Sequence, residues 1–115
     1  MKRGRADLLL GLQREEGLKN LPMLREGGAA VINAPSLPEV KGVRLYPLDA
    51  DRLAQEVGNP RGVNLVLISY AASKGLLPFS QQEIQEAITR LVPPALREIN
   101  LKAVQAGFGA TERPP

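Results

Sequence analysis

The segment from Gly58 to Leu77, GNPRGVNLVLISYAASKGLL, is the longest apolar stretch of the chain and carries its own start and stop signals. Asn59 stands at an N-cap position, where its side-chain oxygen can accept from an orphan N–H of the first turn. Pro60 falls at the first helical position, where its missing N–H is not needed and its fixed φ suits a helix. Gly75 falls where a left-handed residue closes a helix. Between them Val63, Leu65, Val66, Leu67, Ile68, Tyr70, Ala71 and Ala72 leave almost no polar face. A helix that is apolar nearly all round is a buried one. Asn64 lies inside it, and a buried amide without partners costs roughly 1–3 kcal/mol. The pattern therefore predicts a hub helix over 60–74 that packs on several neighbours, one of which answers Asn64.

The residues before this hub alternate between strand and helix signals. Ala6–Leu10 is a short continuous apolar run, the mark of a strand buried on both faces of a parallel sheet. Gln13–Asn20 reads as a short amphipathic helix with Leu18 and Leu21 inward, closed near Pro22. Gly27–Gly28 breaks the pattern as a turn, and Ala29–Ala34 is a second strand, giving a right-handed βαβ unit. The loop Pro35–Lys41 is too short for a helical crossover. The third run, Val43–Tyr46, is thus expected to lie antiparallel to the second or displaced in the sheet, as an edge strand. Asp49 can cap a short helix over Ala50–Val57.

After the hub come two more helices. Ser80-Gln81-Gln82-Glu83 is a capping box, with Phe79 and Ile84 at the staple positions. Ile84, Ala87, Ile88 and Leu91 form an inward stripe, and Glu86–Arg90 is an i,i+4 pair. Val92-Pro93-Pro94 ends that helix, and Pro94 begins the last one. It turns Leu96, Ile99, Ala103 and Val104 inward, pairs Glu98 with Lys102 and stops at Gly107. Residues 111–115 carry no packing signal and read as a mobile tail. The fold class is α/β: a Rossmann-like, mostly parallel sheet with flanking helices and a helical C-terminal part, in a single domain over 1–115. Three short strands are few for a buried sheet, and Ala6–Leu10 reads as a central strand lacking a neighbour. The N-terminal half of the sheet is therefore incomplete, to be finished by another copy, a partner or the rest of a larger domain.

The absences narrow the chemistry. The chain has neither Cys nor His, so it lacks a thiolate nucleophile, ligands for an Fe–S cluster and the commonest general base and metal ligand. No metal site of its own is expected. Two Tyr and two Phe make the core aliphatic. The net charge of +3 is concentrated at Lys2, Arg3 and Arg5, without aromatic interleaving or a nucleic-acid motif, so no nucleic acid is expected. No apolar run approaches the roughly 18 residues of a membrane span. With Asp7 interrupting the basic start, no signal peptide is expected either, and the chain reads as cytoplasmic. No G-x-G-x-x-G or P-loop pattern occurs. The acidic pairs Glu15–Glu16, Asp49–Asp51 and Glu83–Glu86 sit at helix starts or on polar faces, where they suit the helix dipole. Ser69 and Ser73 lie on the hub without a placed base and read as packing hydroxyls. No catalytic residue is assigned.

Four residues remain as candidates for subunit or ligand contact: Asn33, Arg61, Asn64 and Asn100. Asn33 ends a strand, where ligands gather in open α/β sheets. Asn64 and Asn100 fall inside apolar helices despite the poor helix propensity of Asn. They either bond a loop backbone or each other, or face a partner. Arg61 is the one cation set among these groups.

With these residues in view, the chain resembles the gamma-type subunit of the 2-oxoacid:ferredoxin oxidoreductases (the pyruvate, ketoisovalerate and indolepyruvate group, in whose indolepyruvate members it is called beta). The matching motifs are ADLLLGL at Ala6–Leu12, LPMLREGGAAVINA at Leu21–Ala34, EVGNPRGVNLVLISYAA at Glu56–Ala72, GLLP at Gly75–Pro78 and EINLKAVQAGF at Glu98–Phe108. Family members begin with a strand and a G-x-G-G-Q-G turn that have no counterpart here, so the chain resembles the C-terminal portion of their domain. The resemblance implies an accessory subunit of an oligomeric enzyme that oxidatively decarboxylates a 2-oxoacid with CoA and reduces ferredoxin. It implies thiamine diphosphate and Fe–S clusters in partner subunits, with no cofactor bound by this chain. The alternative is a free-standing α/β interaction module without catalytic activity.

Overall fold

The structure, a computed structural model, describes residues 4–110. The tail expected at 111–115 and the basic residues Lys2 and Arg3 lie outside them. Within them the chain forms two compact units, divided between Asp49 and Ala50.

The first unit is built on a three-stranded, all-parallel sheet of β1 (Ala6–Gly11), β2 (Leu24–Asn33) and β3 (Arg44–Leu48), in that spatial order. The central strand is therefore β2. Ala29, Ala30, Val31 and Ile32 are buried on both of its faces, which the small side chains and unbroken apolar run allow. β1 is an edge strand, not the central one expected, and Leu8, Leu9 and Leu10 are only half-buried. The α1 helix (Arg14–Lys19) and a 3₁₀ turn at Leu21–Met23 connect β1 to β2. Leu21, Leu24, Ala30, Ile32 and Ala34 form the core of this unit, with Leu18, Val43 and Leu45 packed against it.

Two expectations about the strands are corrected here. Gly27–Gly28, expected as a turn before the second strand, lie within β2, which already begins at Leu24 so that the whole LREGG segment (Leu24–Gly28) is strand. Ala6 pairs with Leu24 but Leu8 with Ala29, so the extra residues bulge out of the ladder, and Gly27 takes up φ +78° to make the bulge. β3 runs parallel to β2 and directly beside it, from Ala29–Arg44 to Asn33–Leu48. Its crossover contains no helix: an irregular segment carries Leu37 and Val40 onto the core. The Leu48 carbonyl accepts from Ala34 N–H at 3.0 Å, so Leu48 turns its peptide groups toward β2. By alternation Pro47 turns outward, where a missing N–H costs the ladder nothing.

The second unit is helical. It contains α2 (Ala50–Glu56), a 3₁₀ turn at Pro60–Gly62, α3 (Val63–Ser73), α4 (Gln81–Leu91) and α5 (Pro94–Gly109). The hub helix thus opens as a 3₁₀ turn and becomes α-helical only at Val63. It buries Val66, Leu67, Ser69, Tyr70, Ala71 and Ala72, and Gly75 follows it at φ +75°. Ser73 Oγ donates to Tyr70 O at 2.6 Å, while the wholly buried Ser69 Oγ has no partner among the described residues. α5 runs past Gly107, which is buried inside the helix and does not end it. A Cβ on Gly107 would lie 2.5 Å from Val66 O, so the glycine is where α3 and α5 come closest. Leu96, expected inward, is exposed, as are Ala87 and Leu91, leaving Ile88 as the buried member of the α4 stripe.

The capping box is formed as the sequence predicts. Ser80 Oγ accepts from Glu83 N–H at 3.0 Å, and Glu83 Oε1 accepts from Ser80 N–H at 2.9 Å. The Ser80 backbone N–H first, and its hydroxyl second, hold the Glu83 carboxyl below its ordinary pKa of 4.5. A carboxylate with a lowered folded pKa contributes stability that is present above its unfolded value and lost as pH falls through the folded one. Ser80→Ala is expected to cost roughly 1 kcal/mol and, because Ala keeps the backbone N–H that lowers the Glu83 pKa most, to reduce but not abolish the loss of stability below the ordinary carboxylate range. Melting curves of both proteins from neutral pH to below that range check this.

Candidate functional site

The parallel strands end at Gly11, Asn33 and Leu48, the side of an open α/β sheet where ligands bind. Asn33 is half-buried there, and its Nδ2 donates to Leu12 O at 3.1 Å. The amide thus ties the end of β2 to the turn that follows β1. A shallow pocket of about 310 Å³ opens beside that turn, lined by Leu10, Gly11, Leu12, Gln13 and Glu16 among others. It holds no cation and no glycine-rich loop opening a long helix, so it lacks the parts that cradle a phosphate.

The other candidates belong to the helical unit, around the turn that precedes α3. Gly58, at φ +77°, reverses the chain after α2. Asn59 N–H then donates to Ala54 O at 2.9 Å, and Asn59 O accepts from Gly62 N–H at 2.8 Å. Its side chain does not cap the helix, contrary to the sequence expectation. Instead Asn59, only 6% exposed, extends Nδ2 to Ile99 O at 3.2 Å and to Asn100 Oδ1 at 3.4 Å. Asn100 in turn donates through Nδ2 to Leu96 O at 2.8 Å. Asn100 is thus spent on structure: it bonds its own helix and receives the turn.

Asn59 is the residue that sequence reasoning undervalues. An Asn before Pro explains itself as a cap, and that sufficient local reading hides the long-range role. A signal is available in its pairing with Asn100, since two amides on apolar segments are each other's natural partners.

The expectation that Asn64 is a buried amide answered by a neighbouring element is corrected. It is exposed, and its Oδ1 accepts from Leu65 N–H at 2.9 Å within its own turn. Asn64 lies in the first turn of α3 and faces outward there. Arg61 is exposed as well and has no ion-pair partner among the described residues. Arg61 and Asn64, three residues apart, lie on one side of a helical turn. The structure therefore brings Asn59 and Asn100 together as a tie and leaves Arg61 and Asn64 on the outer surface of the turn so fixed. Asn33 belongs to the sheet unit.

The residues present do not fit the redox groups that the resemblance implies for the whole enzyme. An Fe–S cluster needs thiolates, and the chain has no Cys. Among the described residues no group of three or more His, Cys, Asp or Glu is placed to hold a metal ion. Among them also, no helix is long and apolar enough to cross a membrane.

The family model for pyruvate ferredoxin/flavodoxin oxidoreductase matches residues 1–110. The indolepyruvate oxidoreductase subunits IorB of Thermococcus kodakarensis and Pyrococcus horikoshii are each 30% identical over 131 aligned positions, covering 95% of this chain and 65% of the relative. The chain thus spans just under two thirds of the length of these relatives. Among solved structures, the gamma subunit of a keto/oxoacid ferredoxin oxidoreductase from Geobacter sulfurreducens superposes with TM-score 0.74 at 27% identity, over 90% of this chain and 62% of that one. The 2-oxoglutarate:ferredoxin oxidoreductase of Magnetococcus marinus, solved with 2-oxoglutarate, coenzyme A and succinyl-CoA bound, gives TM-score 0.77 over 97% of this chain and 21% of that one. At 20% identity that likeness is one of fold.

Proposed function

The chain belongs to the pyruvate ferredoxin/flavodoxin oxidoreductase family, and we propose that it is an accessory subunit, or part of one, of a cytoplasmic 2-oxoacid:ferredoxin oxidoreductase. In this reading the complex cleaves the C1–C2 bond of a 2-oxoacid anion, releases CO₂ and forms the acyl thioester of CoA. Two electrons pass to ferredoxin and one proton is released. Thiamine diphosphate and the Fe–S clusters that support this chemistry reside in partner subunits. The contribution of this chain is to pack against those subunits and help close the site.

The observation that carries the reading is the family match over nearly the whole chain, with named relatives that are oxidoreductase subunits. The structure of the α3 turn supports it. Arg61 and Asn64 are exposed on a turn held from within by Asn59, as suits a contact surface that must keep its shape. The open edge of β1, with its half-buried leucines, takes a strand from the remainder of the assembly.

The test is anaerobic affinity purification of the tagged chain from its native source. Co-purification of subunits with Fe–S absorbance, bound thiamine diphosphate and CoA-dependent reduction of a viologen dye by a 2-oxoacid is the expected result. A folded chain that purifies alone would instead favour an interaction module without catalytic activity. Arg61→Glu and Asn64→Leu are each expected to lower the co-purified subunits about tenfold, equivalent to about 1.4 kcal/mol, with circular dichroism unchanged. Undiminished complex in both variants would remove these residues from the interface.

A further inference from the structure

An apolar groove of about 570 Å³ runs between α3 and α4, with Leu65 and Ile68 on one side and Phe79, Ile84, Ala87 and Leu91 on the other. Leu91 is 78% exposed and Phe79 50% exposed at this surface. Contiguous exposed apolar surface of this kind marks an interaction site.

The charges on its rim indicate the occupant. Glu86 and Arg90 flank the groove one helical turn apart. They do not pair with each other: Glu86 Oε1 accepts from Gln82 Nε2 at 3.2 Å, and Arg90 has no ion-pair partner among the described residues. A two-fold axis placed across α4 near Ala87 would lay a second α4 antiparallel to the first. Glu86 of each copy would then meet Arg90 of the other, and Ile84 would meet Leu91. Ala87 at the crossing is small enough to let the axes approach to about 8 Å. Each helix N-terminus lies toward the other's C-terminus, which suits both dipoles. Glu86 and Arg90 are therefore complementary to themselves under one rotation, while Glu83, the other carboxylate of the lining, is engaged in the capping box of α4.

We propose that a second copy of this chain fills the groove, giving an isologous dimer through α4. One helix pair with its flanking residues buries less than the roughly 800 Å² per partner of a standard interface. The dimer is accordingly weak and concentration-dependent. It needs no other subunit, so its test is independent of the enzyme assignment.

The experiment is sedimentation velocity on the full chain from about 5 to about 500 µM, with circular dichroism confirming the fold of each variant. The wild type is expected to pass from monomer to dimer across that range. Glu86→Arg and Arg90→Glu each turn two attractive contacts into repulsive ones and are expected to weaken the dimer roughly tenfold. The double reversal E86R/R90E re-creates the pattern with signs exchanged and is expected to return within about threefold of wild type. A chain that stays monomeric at the highest concentration would overturn the proposal. So would a dimer indifferent to both single reversals, or one that the double reversal fails to restore.

Discussion

Gly107→Ala is expected to destabilise the helical unit by roughly 3 kcal/mol, although the same change in an ordinary helix interior is stabilising by up to about 1 kcal/mol. The sign is decided by what the new methyl would meet. It would lie 2.5 Å from Val66 O, 2.6 Å from Ser69 Cβ and 2.9 Å from Tyr70 N, all on α3. Two of these are backbone atoms, so no rotamer change relieves the clash, and the helices must separate. Separation opens gaps around Val66, Ala103 and Val104, all wholly buried. At Gly109, two residues on, an added methyl would have nothing within 4 Å, so this position supplies the control. Urea denaturation should show a large loss for Gly107→Ala and none for Gly109→Ala. Equal midpoints would mean that α3 and α5 do not approach at this point.

Asn59→Asp is expected to be nearly isosteric and still cost about 3 kcal/mol at neutral pH. The amide Nδ2 donates to Ile99 O and Asn100 Oδ1, both acceptors. A carboxylate in its place would present a third acceptor to them in a buried site. Protonation restores a donor, so the folded-state pKa of the new carboxyl is raised above its unfolded value. The native state then binds more protons, and stability falls as pH rises from the unfolded value through the raised folded one. The variant should therefore approach wild-type stability below the ordinary aspartate range and lose it toward neutrality. Asn100→Ala removes the longer, 3.4 Å contact from Asn59 together with the bond of Asn100 to Leu96 O in its own helix, leaves the Asn59 bond to Ile99 O in place and should cost about 1 kcal/mol. Thermal melts at pH 4 and pH 7 separate these cases, and a pH-independent loss for Asn59→Asp would show that its amide does not serve as the donor.

What can be read from the residues alone divides along physical lines. The Ser80–Glu83 box and the left-handed Gly75 depend on bonds and dihedral angles within a turn, and both are legible. So is the α/β character, because apolar period and length carry it. The bulge in β2 is not, since LREGG is a strand only by virtue of its pairing with β1. Crossover length misleads for β3: helices are the common route between parallel neighbours, but a segment with Leu37 and Val40 facing the core can make the same passage. At the candidate site, Asn64 reads as buried because its segment is apolar nearly all round, and it is exposed because the first turn of α3 presents it outward, which only the packing decides. Gly107 reads as a stop because glycine ends helices often; that another helix lies against it is tertiary information.

The two edges of the sheet are unlike, and the difference limits what the chain can build. On β3, Pro47 points its donorless nitrogen outward, and the neighbouring Leu45 and Val43 border the crossover segment. Its outer edge cannot offer a full ladder to an incoming strand. On β1 no proline interrupts Ala6–Gly11. A sheet extensible at both edges is a repeat unit for a filament, because each addition exposes a fresh site. A sheet extensible at one edge terminates after a single addition. Any strand that joins this one along β1 thus yields a closed pair and not a fibre, and the residue that ensures it sits on the far side of the sheet.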